Sequence, residues 1–396
     1  MMQRRLVALL ASGHLWIDFC QGSIPALLPF FVSELHISYA AAGGLIFAAN
    51  ISSSVLQPAF GHLADRRSAP WLMPFGLLLA GVCVAGSGFL THYPALFLAL
   101  VLAGIGSAIF HPEAARLTSF AAGASRNAAM SLFTVGGNVG FAVGPLAVTA
   151  LAVAFGLHGS GWLLLAPLFG GIALLTGMAD FAALSKSHAV RIAAHPITGK
   201  DQWPPFLRLT GAVMFRSVIF FGLNTFVPLY WIRVLGSTKA AGGLALALFM
   251  GAGAVGTLAG GWAADIIGHR RLLLWTYGLL GPLLGLLLLA QHTPLASLLL
   301  IPVGLVLFAP FSVMVVLSHE YLPTRLGTAS GVTFGLAITV GGLFAPLLGR
   351  LADHYGLPAM FLLLAVLPVF AWLLSLSLPE HSQPQEEKLQ PAAATR

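Results

Sequence analysis

The chain has 396 residues, 58% of them hydrophobic and only 8% charged, with a formal net charge of +7. Soluble domains carry about 25% charged residues, so composition alone excludes an ordinary water-soluble fold. The positive balance calls for no nucleic-acid partner, because basic loops beside anionic lipid headgroups account for it.

Apolar stretches near the ~20 residues that a helix needs to cross a bilayer recur along the whole length. They are continuously apolar rather than alternating, which excludes a transmembrane β-barrel. Polar punctuation predicts twelve helices at 6–32, 40–63, 70–90, 95–118, 127–155, 161–185, 207–232, 241–264, 272–291, 295–318, 327–350 and 358–378. Met1 to Arg5 leads straight into the first span with no small-residue cleavage site, so no cleaved leader is expected. Cys20 and Cys83 both sit in apolar runs and suggest no disulfide framework.

The first span contains HLWIDFCQGSIPALLPFF (14–31), with a carboxylate, Asp18, in an otherwise apolar helix. An ionised aspartate at the bilayer centre costs roughly 2.5–3.5 kcal/mol on insertion scales, so it is expected to face a cavity or a partner. His14, four residues before it, and Gln21, three after, share its helix face. Burial favours the protonated carboxyl, which suits a group that loads and releases protons, with His14 as a sharing partner. The alternative is a fixed hydrogen-bonded pair that aligns helices.

The fourth span carries FHPEAAR (110–116), in which Pro112 loosens the helix and His111, Glu113 and Arg116 are expected to cluster. The cluster reads either as a proton relay and inner gate or as an interfacial salt bridge. His319 and Glu320 end the tenth span, but no H-E-x-x-H is formed, so an intramembrane zinc protease gets no support. In the fifth span Gly140, Gly144 and Pro145 fit close packing and a bend, and Asn138 is a candidate pocket residue.

The polar stretch between spans six and seven is the longest link. The expected organisation is a six-helix half at 1–185, a cytoplasmic linker at 186–206, a second half at 207–378 and a disordered cytoplasmic tail at 379–396. The seventh span, MFRSVIFFGLNTFVPLYW (214–231), holds Arg216, the one basic residue well inside a span. Its guanidinium suits a phosphonate, phosphate or carboxylate in an apolar cavity. It could instead neutralise Asp18 or reach the inner surface. Asn224 and Tyr230 are further pocket candidates, with plain interhelical hydrogen bonds as the alternative. Fifteen Lys and Arg residues fall on one face of this arrangement and three, Arg233, Lys239 and Arg350, on the other. By the positive-inside rule both termini are expected in the cytoplasm.

The sequence repeats at an offset of about 200 residues. Gly61-His-Leu-Ala-Asp65 returns as Gly261-Trp-Ala-Ala-Asp265, Arg126 and Ser131 as Arg325 and Ser330, Pro29 as Pro228, and VGFAVGPL (139–146) as VGGLFAPL (340–347). Two halves of equal orientation imply a pseudo-two-fold axis along the membrane normal and a cavity between them.

On these features the chain resembles the major facilitator superfamily over all twelve spans. The motif expected between the second and third spans is G-x-x-x-D-R/K-x-G-R/K-R/K. Gly61, Asp65 and Arg66 match it, with Ser68 and Ala69-Pro70 in place of its later residues. The second copy keeps Gly261, Asp265, Gly268 and Arg270, with Ile266 in the first basic slot. The glycines allow close helix approach, and Asp with Arg makes a surface charge lock suited to gating; loop charges that merely anchor topology are the alternative. A further G-x-x-x-D-x-x-G runs from Gly349 to Gly356 at the opposite face. HLWIDFCQGSIPALLPFF, LQPAFGHLADRR, GIGSAIFHPEAARL and GGNVGFAVGPL are similar to the fosmidomycin-resistance branch of that superfamily.

The resemblance implies an all-α membrane protein in two pseudo-symmetric six-helix halves, and a secondary transporter rather than an enzyme, in the bacterial inner membrane. The favoured expectation is proton-coupled drug efflux of a small polar or anionic compound by alternating access; the alternative is a proton-coupled metabolite importer. His14, Asp18, His111 and Glu113 are the expected proton groups, and Gln21, Asn138, Arg216, Asn224 and Tyr230 the expected substrate contacts. No cofactor or metal is expected, and a monomer working among lipids suffices.

Overall fold

The computed structural model describes residues 2–66, 69–123, 126–188, 200–325, 328–329 and 331–379. Span 1 is Arg4–Glu34, span 2 Tyr39–Arg66, span 3 Leu72–Gly86, span 4 Tyr93–Ala121 and span 5 Arg126–Phe155. Span 6 is assembled from Leu157–Leu164, Leu165–Leu175 and Met178–His188. Spans 7, 8 and 9 are Trp203–Arg233, Lys239–Ile267 and His269–Leu289. Span 10 is Thr293–Phe308 continued by Phe311–Tyr321, broken where Pro310 supplies no backbone donor.

The last helical stretch covers Ala337–Leu376, 40 residues. At 1.5 Å per residue that is about 60 Å, twice the thickness of a bilayer core. Gly356 divides it with φ 83° and ψ 159°, a left-handed backbone that favours glycine. Span 11 therefore ends there after beginning in a π-turn, Gly331–Leu336, and span 12 follows. Twelve spans result, each within a few residues of its sequence expectation. The central part of the expected linker, 189–199, and the tail from 380 lie outside the described residues.

The duplication is visible in equivalent contacts. Gln3 N donates to Ala121 O at 2.9 Å, and Gln202 N donates to Tyr321 O at 2.6 Å, each tying the start of a half to the end of its fourth helix. Arg5 reaches the Thr176 carbonyl in span 6 and Arg208 the Ser377 carbonyl beyond span 12.

Packing is uneven along the membrane normal. At the face remote from the chain ends one apolar core runs through both halves, from Phe31 and Leu45 to Trp231, Phe249 and Phe361. Toward the face carrying the chain ends it divides into two separate cores, one around Phe110 and Phe181, the other around Phe206 and Tyr321. The halves are thus closed together at the remote face and parted at the other.

Polar contacts seal the remote face. Asp353, on span 11, accepts the Tyr39 and Ala40 backbone N–H groups of span 2 at 2.8 and 2.9 Å. Lys239 Nζ donates to Ser33 Oγ at 2.7 Å and stands 4.4 Å from the centre of the Phe30 ring.

Candidate substrate and proton site

Spans 1, 4 and 5 bring three titratable side chains together beside the midplane. His14 Nε2 lies 3.1 Å from Asp18 Oδ2, and His111 Nε2 lies 3.2 Å from Asp18 Oδ1. The i, i+4 spacing puts His14 and Asp18 on one stripe of span 1, and span 4 delivers His111 from the side. Each imidazole is oriented from behind: His14 Nδ1 donates to Phe133 O at 2.7 Å and His111 Nδ1 to Ser107 O at 2.9 Å. A carbonyl only accepts, so these two contacts form with Nδ1 protonated, while Ser107 Oγ, 3.1 Å from His111 Nδ1, can donate to it in the other tautomer; in both histidines Nε2 turns toward the carboxyl.

Each Nε2–oxygen contact then needs a proton of its own, on nitrogen or on oxygen. With both Nδ1 atoms also protonated, two such protons against one carboxylate charge give the closed triad a net charge of +1. Loss of one sets a nitrogen lone pair against an oxygen lone pair and loosens that contact. The three ligand-type atoms lie within 4.8 Å of one another, a spacing that two shared protons account for. Asp18 is only 5% exposed, so a change in its charge is felt with little solvent screening.

Gly137 on span 5 makes this arrangement possible. A Cβ there would run into Asp18 Oδ2 and would stand 2.6 Å from His14 Cε1. Sequence reasoning passed over Gly137, Ser107 and Phe133; the Gly136-Gly137 pair within a span was the signal for the first, while the two carbonyl contacts have none.

Beside the triad, between the halves, lies a cavity of about 280 Å³. Gln21, one turn beyond Asp18, and Thr134 and Asn138, either side of Gly137, belong to its wall. Span 7 contributes Arg216, Ser217, Phe220, Phe221 and Asn224, and span 10 Phe308 and Phe311. Asn50, Ser217 and Phe311 were not singled out from the sequence.

Arg216 is buried, 7% exposed. Its Nη1 donates to Leu307 O at a long 3.4 Å, and Phe311 covers one face of the guanidinium, 5.0 Å from ring centre to Cζ. Its Nε has no hydrogen-bond partner among the described residues. No carboxylate lines the cavity among those residues. A buried cation without a counter-charge is costly and suits an anionic guest.

Four of the five expected substrate residues, Gln21, Asn138, Arg216 and Asn224, meet at the cavity. Tyr230 does not: it is 2% exposed and packs on Phe361 with ring centres 4.4 Å apart, in the core at the closed face. Glu113 also parts from its expected neighbour. Residues two apart on a helix point away from each other, so His111 joins the triad while Glu113 pairs with Arg116 at 2.8 Å. Asp18 bonds the two histidines, and the suggested Asp18–Arg216 pair is not formed here.

The expected gating residues are spread over the parted face. The side chains of Asp65 and Arg66 lie outside the described residues. Gly61 and Gly261 leave ordinary room: an added Cβ would meet Pro112 at 3.7 Å and Ser312 at 3.6 Å. Gly268, with φ 91°, turns the chain between spans 8 and 9. Arg270 donates to Leu376 O at 2.7 Å, a contact inside its own half, and Asp265 also has a partner in the structure.

The sequence model of the Major Facilitator Superfamily matches residues 10–346. The fosmidomycin resistance protein of Escherichia coli (strain K12) is 30% identical, over 95% of this chain and 93% of its own. The uncharacterized MFS-type transporter YfnC of Bacillus subtilis (strain 168) is also 30% identical, over 96% of this chain and 94% of its own. Among solved structures, a bacterial homolog of the human lysosomal transporter Spinster, in an inward-facing and occupied conformation, superposes with a TM-score of 0.74. That match covers 94% of this chain and 95% of the other at 16% identity. With its duplicated twelve-span fold, its central cavity and these relatives, the chain belongs to the major facilitator superfamily and is a membrane transporter, not an enzyme.

Proposed function

We propose that this protein moves a small polar or anionic compound against its gradient by exchange for protons, as a drug-efflux system of the bacterial inner membrane. In this reading the halves 1–185 and 207–378 rock about the cavity, joined by the linker 186–206, with both termini and the tail 379–396 in the cytoplasm. The parted face is then the cytoplasmic one, where Asp65, Arg66, Asp265 and Arg270 would form the charge lock in the opposite state. The monomer is the working unit.

The observation that carries the reading is the adjacency of two unlike sites. A titratable triad, His14–Asp18–His111, stands one helical turn from a cavity whose one charged wall residue among the described residues is Arg216. One proton returning down 100 mV supplies about 2.3 kcal/mol, between one and two decades of substrate gradient. Glu113, tied to Arg116, is the reserve proton group.

The sign of the charges supports a second reading, proton symport. Protonating the triad adds positive charge beside a cavity suited to anions, which strengthens anion binding and favours moving both in one direction. Inside-out vesicles separate the two readings, with fosmidomycin, kept below its second phosphonate ionisation and so a monoanion, as the probe. Efflux by exchange gives uptake when the lumen is acidified, and collapse with a protonophore. Uptake driven only by external acid assigns symport, and transport indifferent to either gradient rejects proton coupling.

A further inference from the structure

We propose that the cavity is built for an organic monoanion with an apolar, ring-sized body, and discriminates against phosphate-like dianions. The inference rests on the transport reading above and names the substrate class of the same cavity.

Three observations combine. The first is charge: Arg216 is the only ionisable cation in the cavity wall among the described residues, and no acid accompanies it. One guanidinium balances one negative charge, whereas a dianion, when the neighbouring triad carries no surplus proton, would keep its second charge buried and unmatched. Gln21, Asn138 and Asn224 can donate hydrogen bonds to oxygen but carry no charge to offset it.

The second is the geometry of the guanidinium. Phe311 covers one face of the group and Leu307 O takes Nη1, while the buried Nε is left without a partner. The donors left over lie in the guanidinium plane, an edge that fits the two oxygens of one carboxylate or one singly charged phosphonate ester.

The third is the apolar wall beside the charge, from the same helix as Arg216 and from the residue after Leu307. Phe220 meets Phe221 and Phe308 edge to face, with ring centres 5.0 and 5.4 Å apart, and Phe308 meets Phe249 at 5.7 Å. Interlocked rings form a stiff apolar surface that contributes little to a small hydrated anion but much to a flat hydrocarbon body. The volume of about 280 Å³ lies near the lower end of ligand cavities, about 300–1,000 Å³.

Calorimetry on the purified full-length protein, at one pH above the second ionisation of phosphonates, tests the proposal. The probes are benzoate, acetate, benzamide, phenylphosphonate, its monomethyl ester and inorganic phosphate. Benzoate and the monoester should bind most tightly, with each of the others at least about tenfold weaker, or about 1.4 kcal/mol. Arg216→Gln should bring benzoate down to the level of benzamide while leaving benzamide unchanged, a result that misfolding cannot give. If phenylphosphonate or phosphate binds as tightly as the monoester, and loses that binding in Arg216→Gln, the monoanion class is overturned while anion transport stands. If benzamide equals benzoate and Arg216→Gln changes neither, the monoanion class and the anionic reading of the cavity both fall, while transport of a polar compound stands. If none of the probes binds, the proposal fails.

Discussion

The two halves of this transporter share a scaffold and differ in chemistry at matching places. Aligning Pro29 with Pro228, His92-x-Pro94 with His292-x-Pro294, and Pro145 with Pro346 sets the correspondence. His14 then matches Val213, Asp18 matches Ser217, His111 matches Phe311 and Gly137 matches Ile338. Every member of the triad is replaced by a side chain that cannot titrate near neutral pH, and the glycine that makes room for it by a bulky one. The second half carries its charge one position earlier, Arg216 opposite Ile17. The first and fourth helices of each half still meet at this depth, through Asp18–His111 in one and Arg216–Phe311 in the other.

The difference teaches a division of labour. A guanidinium stays charged throughout the accessible pH range, so it can hold a ligand but cannot report on a proton gradient. On the proposed reading, the carboxyl and its two imidazoles carry the coupled proton. On that reading, placing the two functions on opposite halves lets one central cavity respond to both solutes as the halves move relative to each other.

The largest expected effect removes the titrating side of the comparison. Asp18→Asn fixes the carboxyl position as neutral, so substrate still binds and exchanges but is no longer driven by protons. In proteoliposomes a gradient of one pH unit should support about tenfold accumulation per coupled proton in the wild type and none in the variant. Full gradient-driven accumulation by Asp18→Asn would make the triad a structural clasp and move attention to Glu113.

Next comes the space that the triad occupies. Gly137→Ala drives a methyl group into Asp18 Oδ2 and the His14 ring, whereas the counterpart change, Ile338→Ala, only enlarges the cavity. We expect Gly137→Ala to shift the pH dependence of transport and to slow it by about tenfold, an order set by displacing one charged contact worth about 1.5–3 kcal/mol. Ile338→Ala should alter substrate affinity and leave the pH profile in place. Equal pH profiles for both variants and the wild type would erase the proposed asymmetry between the halves.

Much of this was legible in the sequence, and the remainder was not for definable reasons. The bilayer imposes one length on every helix, so the twelve spans and the duplication could be read directly, and the His14–Asp18 pair follows from helix periodicity. His111 could not be separated from Glu113, because which of two neighbours points inward depends on how span 4 is rotated against span 1. Tyr230 was expected at the cavity for its hydroxyl, yet the packing of Phe361 against its ring places it in the core of the closed face. Gly137 contributes through the side chain it lacks, and that becomes visible only when span 1 is beside it.

The smallest effect concerns a seam that joins the halves instead of a site that distinguishes them. Asp353 belongs to span 11 and caps span 2 of the other half, its two oxygens accepting the first free N–H groups of that helix. Gly349, one turn earlier, allows the contact, since a Cβ there would collide with the Tyr39 carbonyl. Gly356 then ends the helix with its left-handed turn, so the spacing from Gly349 to Gly356 encodes approach, cap and exit. Asp65 stands at the far end of span 2 in the same Gly-x-x-x-Asp spacing, which suggests one latch for each face, used in alternate states. An exposed carboxylate at a helix N-terminus contributes about 0.3–1 kcal/mol, so Asp353→Ala should raise the population opened at this face by at most about fivefold. Spin labels on His36→Cys and Val234→Cys, in a background with Cys20→Ser and Cys83→Ser, report the separation of the helix ends there. A longer-distance population that grows in Asp353→Ala, and grows again with Lys239→Met, supports a latch between the halves. An unchanged distance distribution would reduce Asp353 to a helix cap that happens to come from a neighbour.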